Sequence, residues 1–132
     1  EAERELLEGE DRRVLLKDMA CLLDHQQLGE MQKACAGVKA SSDLIAYVQR
    51  LVQFSRESGD FAYGLSPRGG LALLKSAKTW AYMQGREFVV PEDVQAILPA
   101  VVEHRLREAA DYAGHRGGSL SQRLIQAVPV VA

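Results

Sequence analysis

One stretch of this 132-residue chain concentrates residues able to do chemistry, GLSPRGG at 64–70. Ser66 followed by Pro67 reads as a helix start, because Ser supplies an N-cap acceptor and Pro suits the first helical position. Arg68 then falls in the first turn, where the helix dipole disfavours a cation by about 0.3 to 1 kcal/mol at exposed sites. An anion placed there reverses that balance, since it can meet open backbone N–H groups and a guanidinium that grips phosphate through two hydrogen bonds. Phosphate is the natural ligand class. On position alone the plainer reading is a solvated Arg68, or one paired with a nearby acid, because exposed charges contribute little.

Elsewhere the chemical inventory is thin. There is no GxxxxGK loop ending in Ser or Thr to cradle phosphates, no apolar run closing on paired acids for magnesium, and no GxGxxG. The chain is not expected to hydrolyse a nucleotide by itself. GxSxG and HExxH are also missing, and His25, His104 and His115 are scattered, so each reads as a surface or capping residue. Cys21 and Cys35 lack ligand spacing and are expected as buried, reduced thiols. No metal site is expected.

The elements that must position Arg68 follow from periodicity. A helix from Pro67 to about Gln84, ended by Gly85, places Gly70, Leu73, Leu74, Ala77, Trp80 and Ala81 within about 120° on the wheel. Arg68, Ala72, Lys75 and Thr79 fall on the opposite side. Arg68 therefore points away from the core; Lys75, two turns along, either adds positive field near it or is simply solvated, and Trp80 reads as packing. Residues 1–8 read as a helix end closed by Gly9, and Asp24 with Gln27 forms a capping-box pair before Leu28, Met31 and Cys35. Ser41 or Ser42 can cap a core helix carrying Leu44, Tyr47, Val48, Leu51, Val52 and Phe54. Residues 58–65 read as loop, and Phe88–Val90 as a brief β-prone run that can pair with Val38–Ala40. Pro91 with Glu92 and Asp93 opens a further helix; Pro99 marks a break before a helix from Ala100 to about Ala110. Residues 111–118 read as a flexible loop before a last helix from Leu120 to Ala127. The expectation is one all-α domain over 1–132, a bundle of about five or six helices with at most a tiny two-stranded β pair.

Composition sets the outer limits. Sixteen basic against eighteen acidic residues give a net charge of −2, which disfavours a nucleic-acid partner. Arg105, Arg107, Arg116 and Arg123 make the last third locally basic, but Glu103, Glu108 and Asp111 are interspersed, so a mixed solvated face is the default there. No run approaches the roughly 18 to 20 apolar residues needed to span a bilayer, and no basic-then-apolar leader opens the chain. A cytoplasmic protein without a membrane partner is expected. The opening EAERELLEGEDRR reads as the polar, helical interior of something longer.

Residues 64–106, GLSPRGG followed by LALLKSAKTWAYMQGREFVVPEDVQAILPAVVEHRL, resemble the C-terminal helical lid of MoxR-family AAA+ ATPases. The likeness extends more weakly through SSDLIAYVQRLVQFSRES on one side and LIQAVPVV on the other. It implies that Arg68 is the sensor 2 residue, reaching from the lid to the γ-phosphate of ATP, bound with Mg2+ by the AAA+ core domain of the same chain. It also implies a hexameric ring of neighbouring subunits, chaperone-like remodelling of client proteins, and von Willebrand factor A-domain partners. Gly69 and Gly70 depart from the family's more usual Ala, and Val90 from a capping Thr; both changes weaken helix starts slightly and neither touches Arg68. The rival readings are a free-standing helical interaction module with no nucleotide role and, more remotely, a small DNA-binding domain.

Overall fold

The computed structural model describes residues 19–59, 61–108 and 119–131, together with residues 4, 14, 16 and 17. The helix end expected over 1–8 and the loop expected over 111–118, which includes His115 and Arg116, fall outside the described residues, Arg4 apart. Five helices are described: α1 (His25–Gly37), α2 (Ser42–Glu57), α3 (Pro67–Met83), α4 (Pro91–Val102) and α5 (Leu120–Ala127). Two short strands, β1 (Phe61–Tyr63) and β2 (Arg107–Glu108), complete them. The chain divides into two compact units, 1–31 and 32–132. The small all-α bundle read from the sequence is the fold of the second.

Helices α1 and α2 start where the sequence supplies a cap. Before α1, Asp24 Oδ1 accepts from the Gln27 N–H at 2.7 Å while Gln27 Oε1 accepts from the Asp24 N–H at 2.9 Å, both arms of a capping box. Ser41 caps α2 by accepting from the Leu44 N–H at 3.1 Å. In α2, Leu44, Tyr47, Val48 and Leu51 recur at three- and four-residue spacing and are all buried. Leu73, Ala77 and Ala81 of α3, Val94 and Leu98 of α4, and Leu124 of α5 meet them in one core. Burial of each such Leu or Val contributes about 1.5 to 3 kcal/mol.

The corner between α3 and α4 is tightly specified. Gly85 takes a positive φ of 73°, its N–H reaches Tyr82 O at 2.9 Å, and the Arg86 N–H reaches Ala81 O at 3.0 Å. This is a Schellman termination, which favours Gly at that position because it has no Cβ. The chain then runs extended. Lys39 pairs with Phe88 in a parallel bridge, with Lys39 N–H on Glu87 O and Val89 N–H on Lys39 O, both at 2.9 Å, which is the pairing expected from the β-prone run.

Several expectations fail for physical reasons. Residues 58–65 are not all loop: Phe61 is buried, Tyr63 is exposed, and β1 pairs antiparallel with β2, Phe61 opposite Glu108 and Tyr63 opposite Arg107. The partner lies more than forty residues away, so no local pattern announces it. Pro99 does not break the chain but sits inside α4. It is exposed, while Leu98, Val101 and Val102 around it are buried, and their burial outweighs the roughly 3 kcal/mol that an interior proline costs. No helix starts at Ala100; α4 ends at Val102, where the Arg105 and Leu106 N–H groups turn back onto Val102 O at 2.9 and 2.8 Å. Trp80 is 37% exposed, at the edge of the stripe rather than in it, because Ala77 and Ala81 take the buried positions. Cys21 is exposed and Cys35 half-buried, neither in the core.

Candidate functional site

The start of α3 is built as its sequence dictates. Ser66 Oγ accepts from the Gly69 N–H at 3.1 Å, Ser66 O accepts from the Gly70 N–H at 3.1 Å, and Pro67 has no N–H to satisfy. The Arg68 N–H is then the open donor of the first turn. The Arg68 side chain is exposed and makes no hydrogen bond or ion pair with the described residues. A guanidinium and a backbone N–H of the same residue thus stand together at a helix N-terminus, both uncommitted, which is an arrangement suited to an oxyanion.

Residues that sequence reasoning missed hold this start in place. Ser55 of α2, 1% exposed, accepts from the Leu65 N–H at 2.9 Å and donates to Val52 O at 2.6 Å. Its neighbour Arg56 donates from Nε to Leu65 O at 2.7 Å. Both backbone groups of Leu65 are therefore taken by consecutive residues of α2. Gly64 makes this approach possible: a Cβ there would stand 2.5 Å from Ser55 O and 2.7 Å from Arg56 Cα. The glycine before LSPR was the one legible signal, since an invasive backbone contact is a standard reason for that residue.

An open groove of about 830 Å³ runs between α2 and the first turns of α3, with Ile45, Val52, Arg56, Pro67, Gly70 and Leu74 among its walls. Gly70 keeps it narrow, because a Cβ there would meet Val52 Cγ2 at 3.1 Å. Lys75 does not line the groove; it is exposed on α3, about 10 Å along the helix axis from Arg68. The structure does not gather the two cations into one cluster. His25 and His104 are exposed, and no group of three His, Cys, Asp or Glu residues capable of holding a metal occurs among the described residues.

Two further charged contacts are structural. Arg86 forms a two-pronged ion pair with buried Asp93 and also donates to Phe88 O at 3.2 Å, while Asp93 Oδ2 accepts from the Val90 N–H at 2.8 Å. The Arg86 hydrogen bond holds the Asp93 carboxyl below its ordinary value, against the opposing effect of burial. Glu103 Oε1 accepts from Ser119 Oγ, from the Ser121 N–H at 3.0 Å and from Ser121 Oγ at 2.7 Å, capping α5 from outside. Desolvation pushes its carboxyl up, but the bonds from Ser119 and Ser121 leave it lowered overall. In the basic last third, Arg105 donates to Val101 O at 2.5 Å and Arg123 lies 5.6 Å over the Phe61 ring.

Residues 53–127 match the family described as the AAA lid domain. The chain belongs to that family. This lid is of the MoxR type: it is 31% identical over 94 residues to the chaperone MoxR1 of Mycobacterium tuberculosis, covering 64% of this chain and 25% of that protein. It is 42% identical over 53 residues to protein MoxR of Paracoccus denitrificans, covering 40% and 16%. YeaC of Bacillus subtilis is 30% identical over 102 residues, covering 76% and 32%. A crystal structure of a protein from Cytophaga hutchinsonii that carries an ATPase designation superposes with a TM-score of 0.70 at 24% identity, covering 79% of this lid and 35% of that chain, a likeness of fold. The lid thus spans a third or less of the length of YeaC and MoxR1.

Proposed function

We propose that this lid senses nucleotide for a longer MoxR-type AAA+ ATPase, with Arg68 as its sensor 2 residue. The observation that carries the reading is the open guanidinium and open N–H of Arg68 on the first turn of α3, set against the absence of any phosphate loop in the chain. ATP and Mg2+ would be held by an AAA+ core domain of the same protein. The magnesium would supply charge neutralisation at the phosphates; this chain's part is to present Arg68 to the γ-phosphate.

The chemistry follows from charge. Arg68 gains contact with the γ-phosphate when the lid closes and loses it after hydrolysis, and a ligand shifts a two-state equilibrium only through such a difference in contact. The same guanidinium offsets negative charge spread over the transferring phosphoryl oxygens. The resemblance supports a hexameric ring in which neighbouring subunits meet, cytoplasmic chaperone-like remodelling of client proteins, and von Willebrand factor A-domain partners. The chaperone designation of MoxR1 is in keeping with this.

The test is ATP turnover by the full-length protein carrying Arg68→Ala beside wild type, with circular dichroism and assembly state measured in both. Turnover is expected to fall by roughly 100-fold or more, in line with the loss of other charge-stabilising groups. Unchanged turnover in a folded, assembled variant would refute the sensor role and leave Arg68 a bystander.

A further inference from the structure

We infer that Ser55, Arg56 and Gly64 form a positioning clasp that transmits the placement of α2 to Arg68, so that the sensor is set by a second helix. The inference rests on the sensor reading of Arg68 and adds to it the residues through which that arginine is aimed.

The path from clasp to the Arg68 backbone contains almost no freedom. Leu65 is 1% exposed and is gripped at both backbone groups, its N–H on Ser55 Oγ at 2.9 Å and its carbonyl on Arg56 Nε at 2.7 Å. Ser66 is fixed at φ −68° and ψ 163° by its bond to the Gly69 N–H. Pro67 has its φ locked by the ring. Arg68 comes next, so three consecutive restrained residues separate it from α2. Gly64 sets the depth of the contact, since its Cα lies where a Cβ would collide with the Ser55 and Arg56 backbone. Arg56 itself is exposed on the groove wall, with its stem beside Gly64, and its Nε donates to Leu65 O.

A clasp of this kind acts only through Arg68, and that makes a quantitative demand. Misplacement of a group by about 1 Å costs up to 100-fold in rate even when the mutated residue is remote from the chemistry. Residues acting through one group give strongly non-additive effects, whereas independent ones add.

The experiment uses the full-length protein, in wild-type and Arg68→Ala backgrounds, each with and without Arg56→Met, which keeps the apolar stem and removes the donor. Turnover of ATP and its affinity, measured by competition with a fluorescent ATP analogue, are read together with thermal melting. In the wild-type background Arg56→Met is expected to lower turnover or affinity by roughly tenfold, with a modest fall in melting temperature from the Leu65 carbonyl left without its donor; in the Arg68→Ala background it adds less than about twofold to the loss of turnover or affinity, while the fall in melting temperature is the same. Gly64→Ala should behave the same way, and if it does not fold, Arg56→Met carries the test. Equal losses in both backgrounds, or none in the wild type, overturn the clasp while leaving the sensor intact. If Arg68→Ala alone changes neither quantity, the sensor reading falls, and the clasp falls with it.

Discussion

A guanidinium in the first turn of α3 faces the positive end of the helix dipole, so its place there is not explained by stability. Arg68→Ala in the chain of residues 1–132 is therefore expected to leave stability unchanged or to raise it by about 0.3 to 1 kcal/mol, measured by chemical denaturation. A clear loss would identify Arg68 as a structural residue instead. Asp93 is the opposite case. Its carboxyl is held below the ordinary value of 3.8, first by the hydrogen bond from Arg86. Its contribution is therefore fully present above the unfolded value and is lost as pH falls through the folded one. Asp93→Asn should flatten the acid limb of a plot of melting temperature against pH below about 4, and an unaltered limb would assign acid unfolding to other carboxylates.

Among the helices, α4 has the weakest start. Val90 stands at the N-cap with extended backbone, φ −111° and ψ 159°, but offers no side-chain acceptor; only the Asp93 arm of the capping arrangement is present. Val90→Thr keeps the shape and adds a side-chain acceptor at the N-cap, where the Asp93 N–H now donates to Val90 O at 3.0 Å, so a gain of about 0.5 to 1 kcal/mol is expected in the denaturation midpoint. A loss would mean that the half-buried methyl it replaces contributes more than the cap. Helices α2 and α3 were legible because Ser41, Ser66 and Gly85 mark their ends and Leu residues recur at helical spacing between them. The pairing of β1 with β2 was not, since Phe-Ala-Tyr carries no sign of a partner more than forty residues away. Pro99 misled because the rule against interior proline is local, whereas the burial of Leu98 and Val102 that overrides it is tertiary. At the site the division is similar: Ser66 and Pro67 located Arg68, but the bonds from Ser55 and Arg56 to Leu65 link residues nine and ten apart, a spacing with no periodic signature.

Across the whole molecule, one core holds α2 to α5 together, and Leu73 is one of its fully buried leucines. Leu73→Ala should destabilise by about 2 to 5 kcal/mol, the range for cavity-forming changes at packed leucines, as read from the guanidinium midpoint. A change under about 1 kcal/mol would mean that the bundle collapses freely onto the gap. No helix among the described residues is long and apolar enough to cross a membrane. The packing between α3 and α4 is the most extensive in the fold, and the corner that joins them is written in a single short run: the Schellman bonds at Gly85 and Arg86, then the pairing of Arg86 with Asp93 seven residues on. Contacts that close short loops form early, while those that close long loops wait. The α3–α4 hairpin is thus the natural nucleus for folding, with φ-values above those of the β1–β2 pairing, which must close a loop of more than forty residues. A substitution at Gly85 is then expected to slow folding, whereas one at Phe61 acts chiefly by speeding unfolding.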